Sequence, residues 1–274
     1  MVTLSQLLID LRGESEALDG LVSGLPEADW SRPTPAPGWT IAHQVAHLAW
    51  TDHVSVLAAT DTVGFMQLLI NASDEPDDYV DRGAREWLAP PADLLTRWRE
   101  GRVALGKAIG SVAPGDTVPW FGTSMSPISV LTGRLMETWA HGQDVADALI
   151  EDGGERAAAV LEARRPTERL QHIAYLGYRT MAHGFAAHGR PIPTAPVRLE
   201  LAGPDGVRWT FGPQGAPDRV TGPAVDFALR VTQRRHRADL ALRATGRTAD
   251  EWLDVAQAFA GPPGEGRKPS GKPA

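Results

Sequence analysis

The stretch GRLMETWAHGQDVADAL, residues 133–149, sets Glu137 and His141 four residues apart. On a helix, positions i and i+4 share one face. A carboxylate oxygen and an imidazole nitrogen are thereby offered as adjacent corners of a coordination shell. A catalytic zinc-type site takes about three protein ligands and keeps one position open. The third donor must come from another helix. PGWTIAHQVAHLAW, residues 37–50, offers His47 and, one turn earlier on the same face, His43. A Glu-x-x-x-His pair elsewhere is ordinarily a surface pair worth a few tenths of a kcal/mol. Here Leu135, Met136 and Trp139 leave little room for a solvated face. A buried carboxylate without a partner is costly, and a cation removes that cost. Carboxylate and imidazole suit zinc, iron, nickel and cobalt alike. The residues leave two sets open: His47 with Glu137 and His141, or His43 and His47 with one of that pair.

These donors need inward-facing helices to hold them. Leu4, Leu7, Leu8, Leu11, Leu18, Leu21, Val22 and Leu25 recur at helical spacing, and Pro26 ends that run. Thr40 reads as the N-cap of a helix over about 41–57. A short helix follows at about 63–71, then an acidic loop, SDEPDDYVD, at 73–81. A helix over about 91–111 and a loop over 112–127 lead to the segment at 133–149. Four principal amphipathic helices with long crossings predict a four-helix bundle. After a helix over about 167–188 the pattern changes. PVRLELAGPDGVRWTFGP alternates apolar and polar residues about Gly203-Pro204-Asp205-Gly206, a β-hairpin signature. Helical patterns return at about 224–234 and 249–259. The fold class is therefore α+β: a helical domain over 1–160, a linking helix and small α+β domain over 161–262, and a disordered tail over 263–274.

Composition narrows the function. The chain has 274 residues, 42% hydrophobic and 22% charged, with a formal net charge of −7, which suits a globular protein and gives no basic face for nucleic acid. There are no cysteines, which excludes disulfides, Cys-type zinc sites and a protein thiol nucleophile. The N-terminus lacks the basic start and apolar core of a signal peptide, and no apolar run approaches the roughly 20 residues of a membrane span. A cytoplasmic protein with no membrane partner is expected. Only Lys107, Lys268 and Lys272 are lysines among 27 basic residues; with 28 Gly and 22 Pro, this points to a high-GC bacterial genome.

PTPAPGWTIAHQVAHLAW resembles the segment around the first metal-binding histidine of the mycothiol-dependent maleylpyruvate isomerase family, within the DinB-like superfamily. GRLMETWAHGQDVADAL resembles that family's second metal segment. The resemblance implies a DinB-like four-helix bundle and a sterol-carrier-like α+β domain, with His47, Glu137 and His141 as ligands of a divalent metal, zinc foremost and nickel, cobalt or iron as alternatives. VTGPAVDFALRVTQRRHRADL and WLDVAQAFAGPPGEGR are similar to an actinobacterial branch of metal-binding proteins. The family's isomerases use an arginine of the C-terminal domain, and Arg234 is the best match, with Arg235 and Arg237 as rivals. The implied partners are a mycothiol-like low-molecular-weight thiol and a small carboxylate-bearing electrophile, in a monomer or homodimer.

On this reading the metal lowers the pKa of the incoming thiol, and isomerisation or S-transfer follows. A metal-water hydrolase is the alternative, with Asp52 or Asp144 as base. Asp144 lies three residues past His141, where it can also hold a ligand histidine in place. A non-catalytic, metal-stabilised binding protein is a third reading, and it would close the shell with His43.

Overall fold

The computed structural model describes residues 2–74, 79–121, 123–151 and 153–271. The chain divides into two compact units, Met1–Arg164 and Arg165–Ala274.

The first unit is mainly helical. Helix α1 (Leu4–Val22) starts at Thr3, whose side chain accepts from the Gln6 amide, and buries Leu7, Leu11 and Leu18. Helix α2 (Ile41–Thr60) starts at Thr40. Helices α3 (Thr62–Asp74), α4 (Tyr79–Glu86) and α5 (Pro91–Gly110) follow. A short antiparallel hairpin, β1 (Val118–Trp120) with β2 (Thr123–Met125), precedes α6 (Pro127–Ile150) and α7 (Gly154–Ala163). The long helices pack α2 on α5 and α6, and α6 on α1. Leu18, Ile41, Val45, Leu48, Leu94, Trp98, Val145 and Leu149 form their shared core, each fully buried apolar side chain contributing on the order of 1.5–3 kcal/mol. Helices α2 and α6 are buried around most of their circumference. Polar side chains on them must therefore find partners inside the protein.

The second unit is α+β. Helices α8 (Leu170–Arg179) and α9 (Met181–Ala187) lead to strands β3 (Val197–Ala202), β4 (Arg208–Phe211) and β5 (Asp218–Pro223), helix α10 (Ala224–Val231), strand β6 (Arg243–Thr245) and helix α11 (Arg247–Val255). The sheet order is β4-β3-β5-β6, with β3 and β5 parallel. Strand β3 buries Val197, Leu199 and Leu201 in alternation, and it pairs antiparallel with β4 across the turn expected at Gly203-Pro204-Asp205-Gly206. Ser270, in the C-terminal stretch, donates to Asp239.

Several expected boundaries move. The acidic loop lies partly outside the described residues, and Tyr79 onward is helix α4. The expected loop over 112–127 contains the β1–β2 hairpin, and α6 begins at Pro127, capped by Ser126. Pro at the first helical position loses no hydrogen bond. The expected helix over 167–188 breaks at Thr180, whose hydroxyl lies 2.7 Å from the Gln257 carbonyl. Strand β5 ends in Gly222-Pro223 and strand β6 has three residues, so neither shows a period of its own. No helix among the described residues is long and apolar enough to cross a membrane.

Candidate metal centre

His47 stands on α2, and Glu137 and His141 stand on α6. One donor atom from each lies within 4.8 Å of the others. The Glu137 Oε2 atom is 3.1 Å from His141 Nε2 and 3.5 Å from His47 Nε2. Ligands about 2.0–2.1 Å from a tetrahedral ion stand about 3.3 Å apart, so these separations suit a common ion. The two imidazole side chains are 7% and 9% exposed, and that of Glu137 is 26% exposed, so the group opens toward solvent on the carboxylate side.

Hydrogen bonding fixes which nitrogen of His141 faces the centre. The Trp39 carbonyl can only accept, and it takes the Thr34 hydroxyl proton at 2.9 Å. Thr34 Oγ1 accepts from Gln44 Nε2 at 2.7 Å. That orients the Gln44 amide so that its Oε1 accepts from His141 Nδ1 at 2.5 Å. In the neutral ring the Nε2 lone pair then faces the Glu137 carboxylate. Two acceptors at that distance need a cation between them, either a proton or a metal ion. His47 Nε2 faces the same carboxylate oxygen, while its Nδ1 is buried with no hydrogen-bond partner. Burial pushes the Glu137 carboxyl up, but hydrogen bonding to His141 and His47 outweighs it and holds the carboxyl well below the usual range. Three donors, one of them anionic, around a single point fit a divalent cation.

Trp39 covers the imidazoles. Its ring centroid is 5.8 Å from that of His141, nearly parallel, and 5.3 Å from that of His47. The indole Nε1 donates to Asp81 of α4 at 2.8 Å. Gly83 brings α4 close, since a Cβ there would lie 2.5 Å from the Trp50 indole.

His43 belongs to the start of α2. Its Nδ1 is 3.3 Å from the Thr40 amide, which donates to it, and 2.8 Å from Thr40 Oγ1. Among the described residues the metal-type cluster is His47, Glu137 and His141. Asp52 is paired with Arg134 at 2.9 Å, both side chains 5% exposed. Asp144 is fully buried on α6. Arg234 follows α10 in the second unit, and its Nη1 donates to the Thr232 carbonyl at 2.8 Å. Sequence reasoning missed Gln44. Its signal in the sequence is an amide set between His43 and His47 on an inward helix; the structure buries it fully.

The fold and the site define a mixed α+β protein with a His/Glu/His cluster able to hold a cation. Residues 11–146 match the mycothiol maleylpyruvate isomerase N-terminal domain. Two uncharacterised proteins, from two strains of Mycobacterium tuberculosis, are 50% identical over 259 residues, which is 94% of this chain and 96% of theirs. The crystal structure of the mycothiol-dependent maleylpyruvate isomerase is similar with a TM-score of 0.54 at 16% identity, over 89% of this chain and 93% of that one. A histidine-to-alanine mutant of that isomerase matches with a TM-score of 0.52. The chain belongs to the mycothiol-dependent maleylpyruvate isomerase-like family.

Proposed function

We propose that the chain is a metal-dependent enzyme that activates a mycothiol-like thiol for isomerisation or S-transfer on a small, carboxylate-bearing electrophile. The carrying observation is the convergence of His47, Glu137 and His141 on one point, open on the Glu137 side. A divalent ion bound there, zinc foremost or else nickel, cobalt or iron, would act as a Lewis acid favouring the thiolate form of an incoming thiol at neutral pH. His47 and His141 would hold it through neutral nitrogens and Glu137 through its carboxylate. Gln44 keeps the His141 proton on Nδ1. Trp39 shields the imidazoles from water on one side. Asp144 is proposed as the acid–base group beside His141, and Arg234 as the bidentate partner of a substrate carboxylate.

With no cysteine in the chain, the sulfur nucleophile must be brought in. Thiolate addition to an activated double bond, rotation about the resulting single bond and expulsion of the same thiolate isomerise the substrate with no net redox change. Retention of the sulfur gives S-transfer instead. The packing of α1, α2, α5 and α6 supports a DinB-like four-helix bundle over 1–160. The four-stranded sheet supports a sterol-carrier-like domain over 161–262, with 263–274 as a tail. The reading places the enzyme in the cytoplasm as a monomer or homodimer.

The test pairs metal analysis with turnover. Purified wild type should carry near-stoichiometric metal, and Glu137→Ala and His141→Ala should lose it. The loaded protein should isomerise maleylpyruvate, or conjugate a related electrophile, only with mycothiol present. A folded wild type that takes up no metal, or turnover that is indifferent to thiol, would overturn the reading. The pairing of Asp52 with Arg134 occupies one of the two candidate bases for a metal-water hydrolase.

A further inference from the structure

The long helices of the first unit leave a cavity of about 580 Å³ among them. Helices α1 and α5 supply most of its wall, and Asp52 of α2 and Thr138 of α6 complete it. None of His47, Glu137 and His141 lines it. Protein interiors hold few voids larger than a water molecule, so a space of this size among packed helices calls for an occupant. Its volume lies within the range of small-molecule sites, roughly 300–1,000 Å³.

The apolar wall is Leu8, Leu11, Val103 and Leu105. The buried polar lining is Ser15, Asp52 and Thr138, each 4% exposed or less. All three are left as acceptors. Ser15 Oγ donates its proton to the Leu11 carbonyl at 2.8 Å, and Thr138 Oγ1 donates to the Arg134 carbonyl at 2.8 Å. Both protons are spent within the residue's own helix, and the oxygen lone pairs remain. Asp52 Oδ1 accepts from Arg134 Nε at 2.9 Å, while no described residue donates to Oδ2. Burial pushes the Asp52 carboxyl up, and Arg134 opposes this.

The charges around these acceptors are matched. Arg99 and Arg102 share Asp19, at 2.6 and 2.8 Å, and Asp52 has Arg134. The other charged lining residues, Arg12, Glu16 and Lys107, are exposed to solvent. The three buried acceptors offer an anion no proton. A cation would compete with Arg134 for Asp52 and stand in the field of Arg102, which also acts on that carboxylate. A neutral O–H donor meets neither obstacle.

We propose that this cavity binds a neutral, mainly aliphatic alcohol, its chain against the leucines and its hydroxyl donating to the acceptors of Ser15, Asp52 and Thr138. The hydroxyl supplies the donor that the buried polar lining lacks, and the chain covers apolar wall that water would otherwise meet.

The probes are octanol, its isomer heptyl methyl ether, octanoate and octylammonium, titrated calorimetrically into the full chain. The ether has the same atoms as octanol but no O–H. Octanol should bind saturably, and the other three about tenfold more weakly or worse, the worth of a hydrogen bond to a charged acceptor. Ser15→Ala combined with Thr138→Val should lower octanol affinity several-fold and leave that of the ether unchanged. Gly106 also lines the cavity, and a Cβ there would rest in ordinary contact, 3.8 Å from Leu8. Gly106→Leu should therefore fill the space and abolish octanol binding, while circular dichroism shows an intact fold, because leucine is the better helix former. Glu137→Ala should keep octanol binding, which separates this site from the metal centre. No saturable binding of octanol, equal binding of the ether or of either ion, octanol affinity unchanged in the double variant or in Gly106→Leu, or its loss in Glu137→Ala would overturn the proposal.

Discussion

Gln44 is the residue on which the donor geometry of His141 turns. The run of bonds from the Trp39 carbonyl through Thr34 and Gln44 leaves His141 one tautomer when neutral. Groups that orient a metal-ligating histidine in this way typically carry 10–100-fold in metal affinity. Gln44→Ala should therefore weaken zinc binding by about that factor, measured by competition with a chromophoric chelator. Unchanged affinity would mean that Glu137 and the packing of Trp39 orient the ring without it. His47 has no such partner at Nδ1, so its orientation rests on the rings of Trp39 and Trp50 around it.

At the scale of elements, His43 and His47 differ although they share a helix face. His43 is the third residue of α2, close enough to the N-cap to bond back to Thr40. Capping interactions of this kind are worth on the order of 0.5–2 kcal/mol. His43→Ala should lower the unfolding free energy by about that amount while leaving the metal content of the protein unchanged. Metal loss in that variant would restore His43 as a ligand. A second element-scale device joins α1 to α5. Asp19 pairs with Arg99 at 2.6 Å and Arg102 at 2.8 Å. Hydrogen bonding to Arg99 holds its carboxyl below the ordinary value, burial opposes this, and Arg102 adds to it. A depressed carboxyl stabilises the fold above its unfolded pKa, and that stability is lost as pH falls through the folded value. Asp19→Asn should thus lower Tm at pH 7 by no more than about 2–4 °C, since the arginines are partly solvated. The difference from wild type should persist down to about pH 4 and close below it.

For the whole molecule, the candidate ligands come from two helices far apart in sequence, so metal binding and the folding of the first unit are linked. A ligand present at 100 times its Kd adds about 2.7 kcal/mol to stability. Chelation should lower Tm and speed amide exchange in α2 and α6, read by hydrogen-exchange mass spectrometry. Identical exchange with and without chelator would separate the metal from the fold. The pairing of Asp52 with Arg134 supports the same two helices from a second point. It ties down α2 one turn and a half beyond His47.

Much of this was legible along the chain. The four-residue spacing of Glu137 and His141 puts both on one face of any helix that contains them. Thr40 is an N-cap by residue type, and Gly203-Pro204-Asp205-Gly206 marks its hairpin, because capping and turn chemistry are local. Period and spacing do not say how a helix is rotated against its neighbour. The approach of His47 rather than His43 to Glu137, and of Gln44 to His141, required the packed structure. Each depends on faces that meet only when side chains distant in sequence fill one core. The break at Thr180 has the same origin: the Gln257 carbonyl that its hydroxyl meets is 77 residues away.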